Sequence, residues 1–424
     1  MSKRKDKLHF AWWILVGLCI TVGLGKGALT GSAGLYLPPV SKELHIGMGN
    51  LTIYLSIAAV VTLIFLPIGG KMMGKYNPRI LLTLAIILQA GAFIAFGLMH
   101  SVWGWYIFSL PLAVGGVFIT VIAGPVLINR WFKKKNGLAL GILGAAGGLM
   151  GAIAQPIVGN MITNQGWRFG YIALGCGVIV IAVPVILLLM KKNPQEMGLL
   201  PYGAREVRVS EGNLAPVTDE GEKGVLMADA KKSKAFYAMV LFFFLITSIA
   251  SFSVHIPTYM INQGYSIAFA GQVMGGYMFG VLIGSLVMGF SIDKFGTGKT
   301  AYATMFLGIL AVFMLLFLTQ YRMVAIFATG LFGFTASNAI NTLAPALTTS
   351  IFGSKNYSQI YSTASLGLAV ASIVALPVYG YVFDFMGSYK PVLAVMIVMM
   401  AINVILVALA FRDKKRLEKE GKWS

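Results

Sequence analysis

The sequence is short of charge, and shorter still of acid. Only 11% of its 424 residues are charged, and Asp plus Glu number 14 against 33 Lys plus Arg. Soluble domains carry nearer a quarter charged residues. A water-soluble fold of this size could not hide a content that is 58% hydrophobic. Cysteine is almost absent. Cys19 and Cys176 both sit in apolar runs and read as small core residues rather than a disulfide or a metal pair. No His, Cys, Asp and Glu residues cluster at metal-ligand spacing, and no Walker-type or Rossmann glycine loop occurs, so no metal, cofactor or ATP site is expected.

What the sequence has is long uncharged runs. Ile80 to Met99 and Pro391 to Phe411 each reach the ~20 residues that cross a hydrocarbon core of ~30 Å. Spans are expected at 11–38, 49–72, 79–99, 103–129, 137–163, 169–190, 236–262, 268–292, 300–320, 323–351, 357–383 and 390–411. The opening MSKRKDKLHFAWW has the charge of a signal-peptide start. The apolar run behind it is too long and lacks an A-x-A site, so it reads as an uncleaved first span. Between the sixth and seventh spans lies the one long polar stretch, Lys191 to Lys234, with Pro194, Pro201, Gly203, Glu211, Pro216, Asp219, Glu220, Glu222 and Lys223, which reads as a linker.

The net charge of +19 would suggest nucleic acid on a soluble protein. Its placement says otherwise. With both termini cytoplasmic, only Lys42, Arg168, Arg322 and Lys390 fall outside and Lys26 falls within a span; every other Lys and Arg falls inside. The charge is therefore a topology signal, with contact to anionic lipid a secondary effect. The halves also repeat at one near-constant offset. Gly70 matches Gly289, Pro125 matches Pro345, Asn136 matches Asn356, Pro156 matches Pro377 and Gly159 matches Gly380. Duplicated halves of this kind enclose a midplane site in carriers. The expected architecture is all-α, with twelve transmembrane helices in two pseudo-symmetric six-helix bundles, residues 1–190 and 235–424, joined by a cytoplasmic linker at 191–234.

The stretch Gly289-x-x-x-Asp293-Lys294-Phe295-Gly296-Thr297-Gly298-Lys299 after the eighth span resembles the loop signature of the major facilitator superfamily. Its first copy, Gly70-x-x-x-Gly74-Lys75-Tyr76-Asn77-Pro78-Arg79, departs from that pattern, with Gly74 in place of the acid and Pro78 in place of a basic residue. Arg130-Trp131-Phe132-Lys133-Lys134-Lys135-Asn136-Gly137-Leu138-Ala139, Gly166-Trp167-Arg168 and Asn193-Pro194 to Gly203 are similar to segments of the monocarboxylate porters and the oxalate:formate antiporter group. The resemblance implies a conformational role for Gly289, Asp293, Lys294, Gly296, Lys299 and Arg130, and transport of a small organic anion. It also implies a departure. The positions where the oxalate:formate group carries substrate-binding cations on the eighth and eleventh spans are Ser285 and Ala364 here, so a dicarboxylate clamp is not expected.

Lys26 is the strongest single signal, a cation near the middle of the first span in GLGKGALTG. Such a charge costs about 2.5–3.5 kcal/mol to insert. It reads as the counter-charge for a substrate carboxylate; the alternative is a snorkelling lysine. Desolvation disfavours an ammonium and a carboxylate partner favours it. Lys26 would then take up a proton with the anion and give it up on release. Thr30 lies one turn on, on the same face, either to bond the carboxylate or to back-bond its own helix. Asn338 and Asn341 on the polar tenth span, whose face should line the cavity or a helix contact, Tyr361 and Ser365 on the eleventh, and Tyr277 on the eighth, where helix packing is the default, complete the candidate binding set. Asn341 and Tyr361 also match cavity positions of the oxalate:formate group. His255 is a second candidate for proton coupling, against a role as a satisfied packing histidine. Asp384 reads as a helix-end residue.

No carboxylate lies deep in any span, which sets aside an Asp or Glu proton relay. The expected function is secondary active transport of a monocarboxylate-like anion, not catalysis, with proton symport or anion exchange. Two alternatives stand beside it: efflux of amphipathic drugs or larger acids such as bile acids, and a non-transporting membrane sensor, against which the short termini count. Short loops and compact termini point to a bacterial plasma membrane. The expected partners are the anion, the bilayer, and protons or a counter-anion, with no nucleic acid.

Overall fold

The computed structural model describes residues 9–132, 134–203 and 224–423. Lys133 of the basic motif, the centre of the linker at 204–223 and the first eight residues lie outside the described part. The first bundle comprises α1 (Phe10–Leu44), α2 (Met48–Lys75), α3 (Pro78–Leu98), α4 (Val102–Trp131), α5 (136–165) and α6 (167–189). The second comprises α7 (Lys234–Asn262), α8 (Ile267–Phe295), α9 (Thr297–Phe317), α10 (Arg322–Phe352), α11 (Tyr357–Met386) and α12 (Lys390–Lys419). Among the described residues, β pairing is limited to isolated bridges such as Phe132 with Tyr202.

The division of α5 from α6 rests on one residue. Gly166 has φ 85° and ψ 163°, a conformation that is essentially glycine's alone. Before it, α5 runs with α1: Gly27 abuts Gly147 and Gly151, and Gly31 abuts Gln155. After it, α6 runs against α1: Tyr36 abuts Gly170 and Gly17 abuts Leu189. The chain therefore reverses at Gly166, which gives twelve crossings.

Two helices run past their expected ends. The first span is expected to end at 38, yet α1 continues through Pro38 and Pro39 to Leu44. Leu35, Tyr36, Leu37 and Val40 around the prolines are buried, and that packing offsets the lost backbone hydrogen bonds. α12 was expected to end at 411 and extends to Lys419. Its polar tail is made of good helix formers braced by Lys414–Glu418 and Arg416–Glu420 pairs one turn apart.

Large apolar side chains face outward, as a lipid-facing surface requires. Val180, Leu188, Phe306 and Phe385 are all strongly exposed. The two bundles meet along α5 and α8, where Gly159 abuts Gly271 and Gly148 abuts Leu282, and along α2 and α11. A group of hydrogen bonds joins them at one end. Asp384 accepts from the backbone of Met48 (2.8 Å) and Gly49 (2.7 Å), Tyr381 bonds Asn50 (2.8 Å) and Ser56 bonds the Ile373 carbonyl (2.5 Å). An aromatic knot backs that end in each bundle. Tyr36 stacks on Tyr171 at 3.7 Å in the first, and Phe383 stacks on Tyr389 at 4.6 Å in the second. The end remote from the chain termini is thus the sealed one.

Candidate functional site

Lys26 lies on a π-helical stretch of α1, Gly23–Thr30, wedged between α4 and α5. A Cβ at Gly27 would fall 2.3 Å from the Gly147 carbonyl oxygen, and one at Gly25 would fall 2.6 Å from the Ile119 side chain. Glycine is what permits this approach. A π turn serves its carbonyls poorly, and two glutamines from neighbouring helices make up the deficit. Gln89 of α3 donates to the Gly25 carbonyl (3.1 Å) and Gln155 of α5 to the Gly27 carbonyl (3.3 Å). Both are fully buried, and the Oε1 of each has no partner among the described residues.

Lys26 itself is exposed although it sits midway along α1. Its methylenes pass Gly147, whose missing side chain leaves the space. Among the described residues its ammonium has no hydrogen bond and no ion pair. Thr30, also exposed, donates its hydroxyl to the Gly25 carbonyl (3.0 Å) and receives a long contact from Gln89 Nε2 (3.4 Å). Its donor is therefore spent on its own helix, and its second lone pair faces open space. An accessible cation in mid-membrane with no protein counter-charge is suited to an anion from solution.

The candidates of the second bundle divide. Asn341, exposed in the π-helical stretch Ala339–Leu343 of α10, donates to the Ser337 carbonyl (2.9 Å) and leaves its Oδ1 unengaged. Tyr277 of α8 bonds the Ser337 hydroxyl (2.6 Å). Its neighbour Met278 reaches across to Gly31, next to Thr30, and to Gly151, so α8 links this group to the first bundle's site. Tyr361 of α11 is half-buried, stacked on Tyr357 and edge-on to Phe243 of α7. Ser365 sits at a break in α11 and donates to the Tyr361 carbonyl (2.7 Å). Asn338 does not face open space. It is buried, and its amide donates to the Val281 and Phe334 carbonyls (3.2 and 3.1 Å), fastening α10 to α8.

His255 also lies away from any opening. It is fully buried, with Nε2 at 3.0 Å from the Leu376 carbonyl and Nδ1 at 2.8 Å from the Tyr389 hydroxyl. A carbonyl only accepts, so Nε2 carries the proton and Nδ1 accepts from the tyrosine. Both nitrogens are engaged in the sealed end, which is the packing alternative. The positions of the absent cations offer nothing charged: the Ser285 hydroxyl is bonded to the Leu282 carbonyl and Ala364 is buried.

The loop motifs fall at the unsealed end. Gly296 takes φ 84° to turn α8 into α9. Asp293 is exposed and has no partner among the described residues, while Lys294 packs over Phe290 and Phe295; a Cβ at Gly289 would meet nothing within 4 Å, and Lys299 is exposed. Arg130 donates to the Met73 carbonyl (3.1 Å), tying α4 to α2. The aromatic motif and the start of the linker, distant in sequence, pack together: Tyr202 bonds the Trp131 carbonyl (2.8 Å), and its ring meets Trp12 and Phe132. Trp167 and Arg168 both reach Glu43, Trp167 at 2.5 Å and Arg168 at 3.1 Å, at the sealed end.

Three residues with evident roles escape a reading by residue type. Gln89 and Gln155 look like isolated polar residues in apolar helices, and only the π turn they serve explains them. Asp384 does stand at a helix end, but the helix it caps is α2 of the other bundle.

A family model described as Major Facilitator Superfamily matches residues 18–276 and again 264–422. Monocarboxylate transporter 12 of Xenopus laevis is 22% identical over 412 residues, spanning 92% of this chain and 87% of that protein. The oxalate:formate antiporter of Oxalobacter formigenes is 25% identical over 384 residues, spanning 85% of this chain and 82% of that protein. Among solved structures, a bacterial homolog of the human lysosomal transporter Spinster, in an inward-facing and occupied conformation, superposes with a TM-score of 0.69 at 14% identity, covering 99% of this chain and all of that one.

Proposed function

This chain belongs to the Major Facilitator Superfamily, and from that premise we propose that it is a secondary carrier of a small organic anion, a monocarboxylate, with Lys26 as the charge that receives it. The observation that carries the reading is the Lys26 ammonium, accessible in mid-span and unpaired among the described residues. One such cation suits one carboxylate, and the uncharged Ser285 and Ala364 argue against a second. Thr30, Asn341 and Tyr361 supply polar or aromatic contacts for the rest of a small substrate, while Tyr277 is buried and engaged with Ser337.

In this reading the bundles rock about the glycine contacts of α5 and α8. Lys26 is reached from the end that bears the termini, and the Asp384 contacts seal the other. The excess of Lys and Arg at the terminal end favours its facing the cytoplasm, and in this reading the sealed end faces outward. The engaged nitrogens of His255 leave Lys26 as the group that couples a proton to the anion; exchange of one anion for another needs no proton at all. The linker, residues 191–234, joins the two bundles on the cytoplasmic side.

The test is uptake of labelled lactate, pyruvate or formate into proteoliposomes. Saturable flux is expected, and Lys26→Ala should lower kcat/KM by roughly 10- to 100-fold, the worth of a charge-assisted hydrogen bond of ~1.5–3 kcal/mol. Absence of saturable flux of any carboxylate would sink the proposal, and drug or bile-acid efflux in the same vesicles would replace it. Uptake by Lys26→Ala with a normal rate and pH dependence would remove Lys26 from the mechanism.

A further inference from the structure

One face of α12 changes character along its length. Val398, Ile402, Ile405 and Leu409 are exposed apolar side chains on it. The same face then continues as Arg412, Lys415, Arg416 and Lys419, at the i, i+3, i+4 and i+7 spacing of one helical stripe, all exposed. The apolar part needs lipid, and the cationic part stands where the hydrocarbon ends. Beside it is the start of α7, where exposed Lys234 heads a second stripe that continues downward as exposed Tyr237 and Leu241.

Between the two lies a cleft of about 610 Å³ lined by Lys234, Leu409, Arg412, Asp413, Lys415, Arg416 and Lys419. Asp413, its one carboxylate, is already engaged. It accepts from the Ala235 backbone N–H at 2.9 Å and pairs with Arg416 at 3.5 Å. Arg416 is also held by Glu420 at 2.9 Å. Lys234, Arg412, Lys415 and Lys419 form no ion pair among the described residues. The cleft thus presents an uncompensated cationic surface directly above an apolar groove open to the bilayer. A soluble anion would use the first feature and leave the second unexplained.

We propose that this cleft is a binding site for an anionic phospholipid, the phosphate headgroup held by Arg412, Lys415, Lys419 and Lys234, and the acyl chains lying between the exposed faces of α7 and α12. A bound lipid would bridge the first and last helices of the second bundle at the end that bears the termini. The site is separate from Lys26 and independent of what the protein carries.

The test is native mass spectrometry of the full chain in detergent, titrated with phosphatidylglycerol or with phosphatidylcholine of the same acyl chains. Phosphatidylglycerol should be retained in preference to phosphatidylcholine. The variant Arg412→Gln/Lys415→Gln/Lys419→Gln should weaken that retention by about fivefold for each cation removed. The charge-keeping variant Arg412→Lys/Lys415→Arg/Lys419→Arg should retain it, which separates lost binding from lost folding. Removing the same number of cations elsewhere on that end, with Lys71→Gln/Lys75→Gln/Lys192→Gln, should change it little. Equal retention of both lipids, or an equal loss in the two glutamine variants, would overturn the site in favour of a diffuse surface potential. Displacement of the lipid by inorganic phosphate alone at matched concentration would overturn it in favour of a soluble-anion site.

Discussion

The seal at the end remote from the termini is held in part by one carboxylate with two cross-bundle bonds, and that makes Asp384→Asn the most informative perturbation of the fold. Asp384 stands on α11 and accepts from the first free N–H groups of α2, at 2.8 and 2.7 Å. It is an N-cap delivered across the bundle interface. Asparagine keeps the size but loses the charge that favours a helix N-terminus, and it turns an NH₂ toward two N–H donors. At face value, two charge-assisted bonds contribute several kcal/mol. Asp384 is exposed, however, and water replaces it when the seal opens. The cap scale of ~0.5–2 kcal/mol is therefore the right one. A loss of about 1–2 kcal/mol shifts the equilibrium between the sealed and open forms roughly 5- to 30-fold. The assay is a distance distribution between spin labels on cysteines placed at Lys42 and Lys390, exposed positions of opposite bundles at that end, with Cys19 and Cys176 changed to Ala. Asp384→Asn should populate a longer distance that is minor in the parent. An unchanged distribution would refute the view that this cap holds the two bundles together.

Two further predictions address packing and coupling. Gly27→Ala places a Cβ 2.3 Å from the Gly147 carbonyl oxygen and 2.7 Å from the Gly151 nitrogen. It should lower the thermal stability of the detergent-purified protein by at least the ~1–3 kcal/mol of an overpacked core. Gly91→Ala, with nothing within 4 Å, should match or exceed the parent; equal melting of the two variants would deny the close approach. His255→Gln should lower the melting temperature by breaking the Tyr389 and Leu376 contacts, yet leave the pH midpoint of anion uptake unchanged. A displaced midpoint would return His255 to the proton path.

Most of the fold was written in hydropathy. Span positions follow from apolar length, and the duplication from matched glycines and prolines, because both are local properties of the chain. The boundaries that moved did so for two reasons: tertiary packing carries α1 through Pro38 and Pro39, and local side-chain pairs that hydropathy does not register extend α12. The site was legible only where a residue is costly in itself. Lys26 stands out because a mid-membrane cation needs a reason. Asn338 and Asn341 look equivalent in sequence, three apart on one polar span, and only the packing of α10 on α8 commits the first to structure and leaves the second accessible. His255 was ambiguous for the same reason, since its carbonyl and tyrosine partners are more than a hundred residues away.

The irregular backbone ties these strands together. π-helical stretches occur in α4 at Val117–Ile122 and in α10 at Ala339–Leu343, near-equivalent places under the repeat that matches Pro125 to Pro345. That irregularity belongs to the duplicated architecture. The stretch at Gly23–Thr30 has no counterpart in α7, which instead tightens into a 3₁₀ turn at Phe252–His255. Unserved carbonyls in a membrane interior are costly, so donors from neighbouring helices help a π turn to persist. The first bundle supplies Gln89 and Gln155, and the second supplies no such pair to α7. Among the described residues, the mid-span cation Lys26 therefore sits on a stretch whose carbonyls are served by buried amides from two other helices. The two halves share a build, but in the proposed reading the charge that receives the anion belongs to the first, and the second offers polar walls.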